Sequence, residues 1–131
     1  MNKLVKEWLL FALTDLKTVI KLLGDEDLTN VVAFHCHQCI EKCFKAIICL
    51  NTKEVPMKHN LLRLYGTVRN LCKLEIDMTL LEEISETYID ARYPSDMGLL
   101  PYGSLSIERS KEFYREANYI YEQIEKVVNN E

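Results

Sequence analysis

The architecture of this chain is set by the stretch VVAFHCHQCIEKCFKAIICL, which runs from Val31 to Leu50. Residues three, four and seven apart in an α-helix lie on one face. One such face of this stretch is apolar throughout, and its members are Ala33, Cys36, Ile40, Cys43, Ile47 and Leu50. This spacing predicts a helix that packs against a core, and the rest of the chain is expected to assemble around it.

A polar row lies on the other side of the same predicted helix. His35, Gln38, Lys42 and Lys45 are spaced so that they share one side, and Glu41 at its edge can reach Lys45 one turn later. A row of this kind is either a solvated helix face or the lining of a cleft. In a cleft the lysines would hold a phosphate, and the histidine and glutamine would donate or accept hydrogen bonds. The residues alone leave both interpretations open.

The cysteines of this stretch raise the question of a zinc site. Cys36 and Cys43 share a face, and Cys39 lies about 60° from Cys36, but His35 and His37 point to roughly opposite sides. No second pair of ligands at zinc-binding spacing completes a tetrahedron. We therefore predict no metal and buried thiols that act as small apolar side chains in a reducing compartment.

Length and composition narrow the class of protein. The 131 residues predict a single domain, residues 1–131, with an ordinary 48% of hydrophobic residues. A net charge of -4 argues against a general electrostatic nucleic-acid binder. The sequence contains no apolar run long enough for a membrane span, and its N-terminal stretch lacks a cleavage site, so we predict a cytoplasmic protein. Nothing in the composition calls for a cofactor.

The remaining sequence repeats the helical pattern four more times. The first predicted helix runs from about Lys3 to Leu23, and the second, already described, from a cap at Asp27 to Asn51-Thr52. The third begins after a cap at Asn60, the fourth runs from Asp77 or Thr79 to Arg92, and the fifth begins at Ser104 or Ser106. Gly24 is suited to the left-handed end of the first helix. The irregular segment YPSDMGLLPYG, residues 93–103, precedes the last one. Because no strand pattern occurs, we predict an all-α, up-and-down antiparallel bundle of four to five helices.

Four short segments, in this order, resemble motifs of the HEPN domain family. They are Ala-x-x-Asp-Leu at residues 12–16, FHCHQCIEKCFKA at 34–46, His-Asn-Leu at 59–61 and Ala-Arg-Tyr-Pro at 91–94. The resemblance implies a helical bundle, commonly a homodimer, with relatives that bind nucleotides or cut RNA. Some relatives resemble the helical domain of kanamycin nucleotidyltransferase. Many are encoded beside a minimal nucleotidyltransferase as half of a toxin–antitoxin pair.

The resemblance also extends the candidate site beyond the polar row. It implies that Arg92 grips a phosphate, that Tyr93 stacks on a base, and that His59 lies close by. The residue types alone equally suit a surface arginine at a helix end, a tyrosine packed beneath a loop and an exposed histidine. The predicted ligand-binding set is His35, Gln38, Lys42, Lys45, His59, Arg92 and Tyr93.

The sequence departs from the ribonuclease members of the family at one decisive point. Those members carry an arginine followed four to six residues later by a histidine, whereas all three histidines here precede Arg92. Asn60 also stands where the family usually has an aspartate. We therefore assign no catalytic residue and predict a domain that binds a nucleotide or an RNA phosphate. The alternative is a protein–protein module that partners a separately encoded minimal nucleotidyltransferase.

Overall fold

The computed structural model describes residues 2–54, 57, 59–92 and 105–130, and the side chains of all of these except 89–92. Within them the chain forms five helices: α1 (Lys3–Leu22), α2 (Thr29–Thr52), α3 (Leu61–Val68), α4 (Met78–Arg92) and α5 (Ile107–Asn129). The described residues contain no strand. The predicted all-α helical bundle is confirmed. No helix in the described ranges is long and apolar enough to cross a membrane.

Three predicted side-chain caps begin helices. Asn60 accepts hydrogen bonds from two backbone N–H groups in the first turn of α3, at 2.9 and 3.1 Å. Asp77 and Ser106 each accept one such bond at the start of α4 and α5, at 3.1 and 3.0 Å. A cap of this kind is worth about 1 kcal/mol. Gly24, with a φ of 92°, adopts the predicted left-handed conformation after α1.

The cap predicted at Asp27 is wrong. Helix α2 begins at Thr29, and no side chain caps its first turn. The N–H of Asp27 instead donates to the carboxylate of Asp25 at 2.9 Å, and the N–H of Leu28 donates to the Asp25 carbonyl oxygen at 3.1 Å. These two bonds hold the linker as a turn, and Leu28 rather than Asp27 occupies the cap position of α2.

Helix α2 is the centre of the bundle, because it packs against each of the other four helices. Its largest fully buried side chains are Ile40, Phe44 and Ile47. Burying a large apolar side chain contributes about 1.5–3 kcal/mol, so this one helix supplies a large share of the core energy. The prediction that the chain assembles around this stretch is confirmed.

The buried surface of α2 is wider than its predicted apolar face. Cys39 and Ala46 lie off that face and are nevertheless fully buried. Lys45, from the predicted polar row, is only 4% exposed, whereas Leu50 from the apolar face is half-buried. A helix with neighbours on several sides buries more than one stripe, and this is why a wheel of α2 alone underestimates its burial.

The predicted burial of the α2 cysteines is confirmed. Cys36, Cys39, Cys43 and Cys49 are buried free thiols, and Cys72 is half-buried. Burial raises the pKa of the Cys36 thiol, and a hydrogen bond with Cys43 together with burial raises that of Cys39. Both thiols are therefore protonated and unreactive at neutral pH. In the described part of the chain, no three His, Cys, Asp or Glu side chains are grouped as a metal site.

These burials predict how the thiols react in solution. In the folded protein we expect at most one of the five cysteines, Cys72, to react quickly with an aromatic disulfide reagent. The other four should react only after denaturation in guanidinium chloride, when absorbance of the released thiolate rises about fivefold. Fast reaction of two or more thiols in the native protein would contradict this packing. A Cys72→Ser variant, which should lose the fast phase, is the control.

Candidate functional site

A buried carboxylate joins α1 to the polar row of α2. Asp15 is 5% exposed, and its two oxygens have separate partners on α2. The Nδ1 atom of His35 lies 2.8 Å from Oδ1, and the Nζ atom of Lys42 donates to Oδ2 at 2.8 Å. Because seven residues make about two turns, His35 and Lys42 lie on one side of α2 and reach the same carboxylate. The structure thus brings together two of the predicted site residues.

Asp15 is a candidate site residue that is absent from the predicted ligand-binding set, although it belongs to the Ala-x-x-Asp-Leu segment at residues 12–16. The sequence signal was present, because this aspartate lies between the buried positions Ala12 and Leu16 on the inner side of α1. A carboxylate at such a position is rarely buried without a partner. That expectation could have pointed from Asp15 to the polar row of the next helix.

Exposed aromatic rings flank the Asp15 network. The Lys42 ammonium lies 5.8 Å from the centre of the Phe11 ring, which is 54% exposed. Phe34, 36% exposed, contacts His35 edge-on at 5.2 Å between ring centres. The network therefore offers two cationic or hydrogen-bonding groups beside two partly exposed aromatic rings.

Tyr88 of α4 contacts Gln38, the second residue of the polar row. Its ring stacks on His37 with centres 3.7 Å apart and on Phe34 with centres 5.5 Å apart. The Gln38 amide donates to the Tyr88 hydroxyl at 3.4 Å, a long hydrogen bond. Arg92 is the last residue of α4, four residues after Tyr88, so its backbone lies about one helical turn further along. The side chain of Arg92, and Tyr93 as a whole, lie outside the described part of the chain.

The remaining two predicted residues belong to a second network, centred on Glu41. This carboxylate is 6% exposed. It accepts a hydrogen bond from Lys45 Nζ at 2.8 Å and lies 2.9 Å from Nδ1 of His59. The Nδ1 atom of His37 is 3.7 Å from its other oxygen. The ammonium of Lys45 also lies 5.5 Å from the centre of the Trp8 ring.

The polar row is therefore divided along α2 between two networks and a separate contact of Gln38 with Tyr88. His35 and Lys42 share Asp15, Gln38 contacts Tyr88, and Lys45 is buried with Glu41. The side chain of His59 is 71% exposed, so it lies at the surface end of the Glu41 network. Chemically, the first network presents partly exposed donors to an anion. The second is a nearly buried ion pair that fixes the start of α3 to α2.

Comparison with known proteins gives a family and a fold. The sequence pattern of the HEPN domain matches residues 5–130. The crystal structure of TT1696 from Thermus thermophilus superposes with a TM-score of 0.71, at 24% sequence identity, over 96% of this chain and 98% of that one. This likeness shows that the two share a fold. No curated protein matches the chain.

Proposed function

The chain belongs to the HEPN domain family, and we propose that it binds the phosphate of a nucleotide or of RNA beside His35 and Lys42. The observation that carries this proposal is the Asp15 network. Two donors that lie two turns apart on α2 meet one anion at 2.8 Å each, and neither donor is fully buried, at 26% and 22% side-chain exposure. A phosphate oxygen, like the Asp15 carboxylate, is a negatively charged acceptor, and it can bind the partly exposed side of His35 and Lys42.

The contact with Asp15 indicates which ring nitrogen of His35 carries a proton. Because the Asp15 carboxylate only accepts, Nδ1 of His35 donates to it. In neutral His35 the other ring nitrogen, Nε2, is then an acceptor, and it becomes a donor when the ring takes up a proton. Within the described residues Nε2 has no hydrogen-bond partner. Nε2 is therefore the ring atom of His35 that is available to a ligand.

The aromatic rings support a nucleotide rather than a bare phosphate. Phe11 lies beside Lys42 and Phe34 beside His35, and the two rings expose 54% and 36% of their surface. A base stacked on such a ring contributes about 1–3 kcal/mol. The amide of Gln38 makes one long bond to Tyr88 among the described residues, and it can add a hydrogen bond to a base or a ribose.

The other predicted residues enter the proposal with different roles. Arg92 and Tyr93 are proposed to contact the ligand from the end of α4, supported by the family motif and by the position of Arg92 one turn after Tyr88. His59 is proposed to contact it through its exposed ring. Lys45 is proposed to act indirectly, since it shares Glu41 with His59. The proposal includes no RNA cleavage, because the sequence lacks the family's Arg-then-His spacing.

Lysine variants test the proposed site. Replacing Lys42 by methionine removes a charge-assisted hydrogen bond worth about 1.5–3 kcal/mol, so we expect roughly tenfold to a hundredfold weaker nucleotide binding. Labelled mono- and dinucleotides and a short RNA would be titrated by fluorescence anisotropy. The matched control is Lys17→Met, which removes an exposed lysine of α1 and should leave affinity unchanged.

Two outcomes of that titration would reject the proposal. One is the absence of binding at millimolar nucleotide, and the other is equal affinity in the Lys42→Met and Lys17→Met variants. The Arg92→Ala variant, measured in the same way, tests the assignment of Arg92 separately. Unchanged affinity in that variant would remove Arg92 from the site while leaving the Asp15 network in place.

A second candidate function is protein contact, and one observation favours it. α1 and the beginning of α2 expose apolar side chains beyond the two phenylalanines, namely Leu4 at 38%, Leu10 at 59% and Val31 at 39%. We propose that such a surface serves a homodimer or the nucleotidyltransferase partner of a toxin–antitoxin pair. Light scattering of the purified chain and co-expression with the neighbouring gene product test this. If the chain is a monomer by light scattering and no nucleotidyltransferase co-purifies with it, this second function is rejected.

A further inference from the structure

A cleft lies apart from the two networks on α2. It has a volume of about 420 Å³ and is formed by α5, the first turn of α4 and the segment before α4. Its lining residues are Glu75, Leu80, Glu112, Arg115, Glu116 and Tyr119. None of the residues proposed for phosphate binding contributes to it. The volume is within the usual range for small-molecule sites, which is about 300–1,000 Å³.

Glu116 is the unusual residue in the lining of this cleft. It is 8% exposed, and within the described residues no hydrogen-bond donor contacts its carboxylate, whose oxygens are not fully enclosed by protein. The other two glutamate or aspartate side chains buried to this degree, Asp15 and Glu41, each have close cationic or histidine partners. A buried carboxylate without a partner is costly, so natural structures rarely keep one without a use.

The neighbours of Glu116 do not supply the missing partner. Arg115 lines the cleft but is exposed and makes no ion pair with Glu116 within the described residues. Adjacent residues of a helix point about 100° apart, which explains why the guanidinium does not reach the buried carboxylate. Glu112 is engaged by Arg109. The buried carboxylate is thus the group that an incoming cation would meet.

The rest of the lining suits a cation that carries hydrocarbon. The Tyr119 hydroxyl accepts a hydrogen bond from the Glu75 backbone N–H at 3.0 Å, which fixes the ring at the wall of the cleft. Leu80 provides an apolar surface on the α4 side. An aromatic face and an aliphatic side chain beside a carboxylate are a favourable setting for an alkyl cation.

We propose that this cleft binds an organic cation, an ammonium or guanidinium group on a hydrocarbon stem, with Glu116 as its counter-ion. The stem lies against Leu80 and Tyr119. The same chemistry is offered by a free amine and by a lysine or arginine side chain of a partner protein. The proposal is independent of the phosphate site, which lies on other residues.

The charge on Glu116 makes binding depend on pH. Burial, and to a lesser degree the negative charge of Asp77, raises the pKa of Glu116 to about 7. The other charged or titratable groups that line the cleft are Glu75, Glu112, Arg115 and Tyr119. Below its pKa Glu116 is neutral and loses its attraction for a cation. Affinity should therefore fall about tenfold between pH 8 and pH 6, because roughly a tenth of Glu116 is ionised one unit below its pKa.

The test uses the full chain and n-butylammonium as the probe, with n-butanol as the neutral control of similar shape. Binding is followed by the amide shifts of Leu80 and Tyr119 in nitrogen-15 NMR spectra. We expect butylammonium but not butanol to bind. The Glu116→Gln variant should bind about tenfold more weakly, and Glu108→Gln, which removes an exposed carboxylate of the same helix, should not change affinity. Arg115→Gln should bind a few-fold more tightly, because a competing positive charge is gone.

A second probe, lysine capped at both backbone ends, separates the two sources of the cation. Binding at least as tight as that of butylammonium would support a protein side chain as the ligand, and binding of butylammonium alone would support a free amine. The proposal is overturned if neither probe shifts the cleft residues. It is also overturned if Glu116→Gln, folded by circular dichroism, binds as well as Glu108→Gln, or if affinity is the same at pH 6 and pH 8.

Discussion

Replacing Glu41 by glutamine is expected to lower the free energy of unfolding by about 3–5 kcal/mol. Glutamine keeps the shape of the side chain but removes the charge that faces Lys45, whose side chain is 5% exposed. The ammonium would then be buried without a carboxylate. The Trp8 ring, 5.5 Å away, offers a cation–π contact of only about 0.5–2 kcal/mol.

Urea denaturation followed by far-ultraviolet circular dichroism measures this loss as a lower midpoint at an unchanged slope. The control is the double variant Glu41→Met, Lys45→Met, which removes both charges and keeps similar volume. It should recover most of the lost stability, since a buried ion pair is often replaceable by apolar side chains. A loss below about 1 kcal/mol in Glu41→Gln would contradict the buried pairing.

Replacing Phe44 by alanine is expected to lower the free energy of unfolding by about 3–5 kcal/mol as well. Phe44 is fully buried at the centre of α2. Its ring packs on that of Tyr65 in α3, with centres 6.0 Å apart. The substitution removes most of the ring's contacts and leaves a cavity that the surrounding helices can only partly close.

Phe34 provides the matched comparison on the same helix. It is 36% exposed and stacks on Tyr88, so Phe34→Ala should cost only about 0.5–1.5 kcal/mol. Thermal and urea denaturation of both variants would compare the two positions. Similar losses at 34 and 44 would mean that α2 is not buried as the structure shows. A nucleotide-binding defect in Phe34→Ala, at nearly full stability, would assign this ring to the proposed site.

The register of α2 could be predicted from the sequence because it depends on spacing within one helix. Ile40, Cys43 and Ile47 share a face whatever surrounds them, and the structure buries all three. The burial of Lys45 could not be predicted in the same way. Whether its ammonium is hydrated depends on Trp8 from α1 and His59 before α3, and the pattern of one helix contains no information on either neighbour.

The same limit explains why Asp15 is absent from the predicted site. Its partners His35 and Lys42 lie on another helix, 20 and 27 residues away. The pairing of Glu41 with Lys45 lies within one helix, and that prediction is confirmed at 2.8 Å. Local chemistry was more accessible. Asn60 caps α3 as predicted, whereas Asp27, an equally suitable residue type, is used in a turn with Asp25. The sequence identifies residues that are able to cap a helix, but the path of the linker determines which of them lies at the helix start.

The central position of α2 has a consequence for the order in which the molecule is made. α1 and α2 are neighbours in sequence and can pair as soon as both have left the ribosome. α5, which also covers α2, is complete only about 77 residues later, at Asn129. At about 5–20 residues per second, the helix that carries the core therefore waits some 4–15 s for its last cover. During that interval the nascent chain presents the α5-facing side of α2 to whatever else is in the cell.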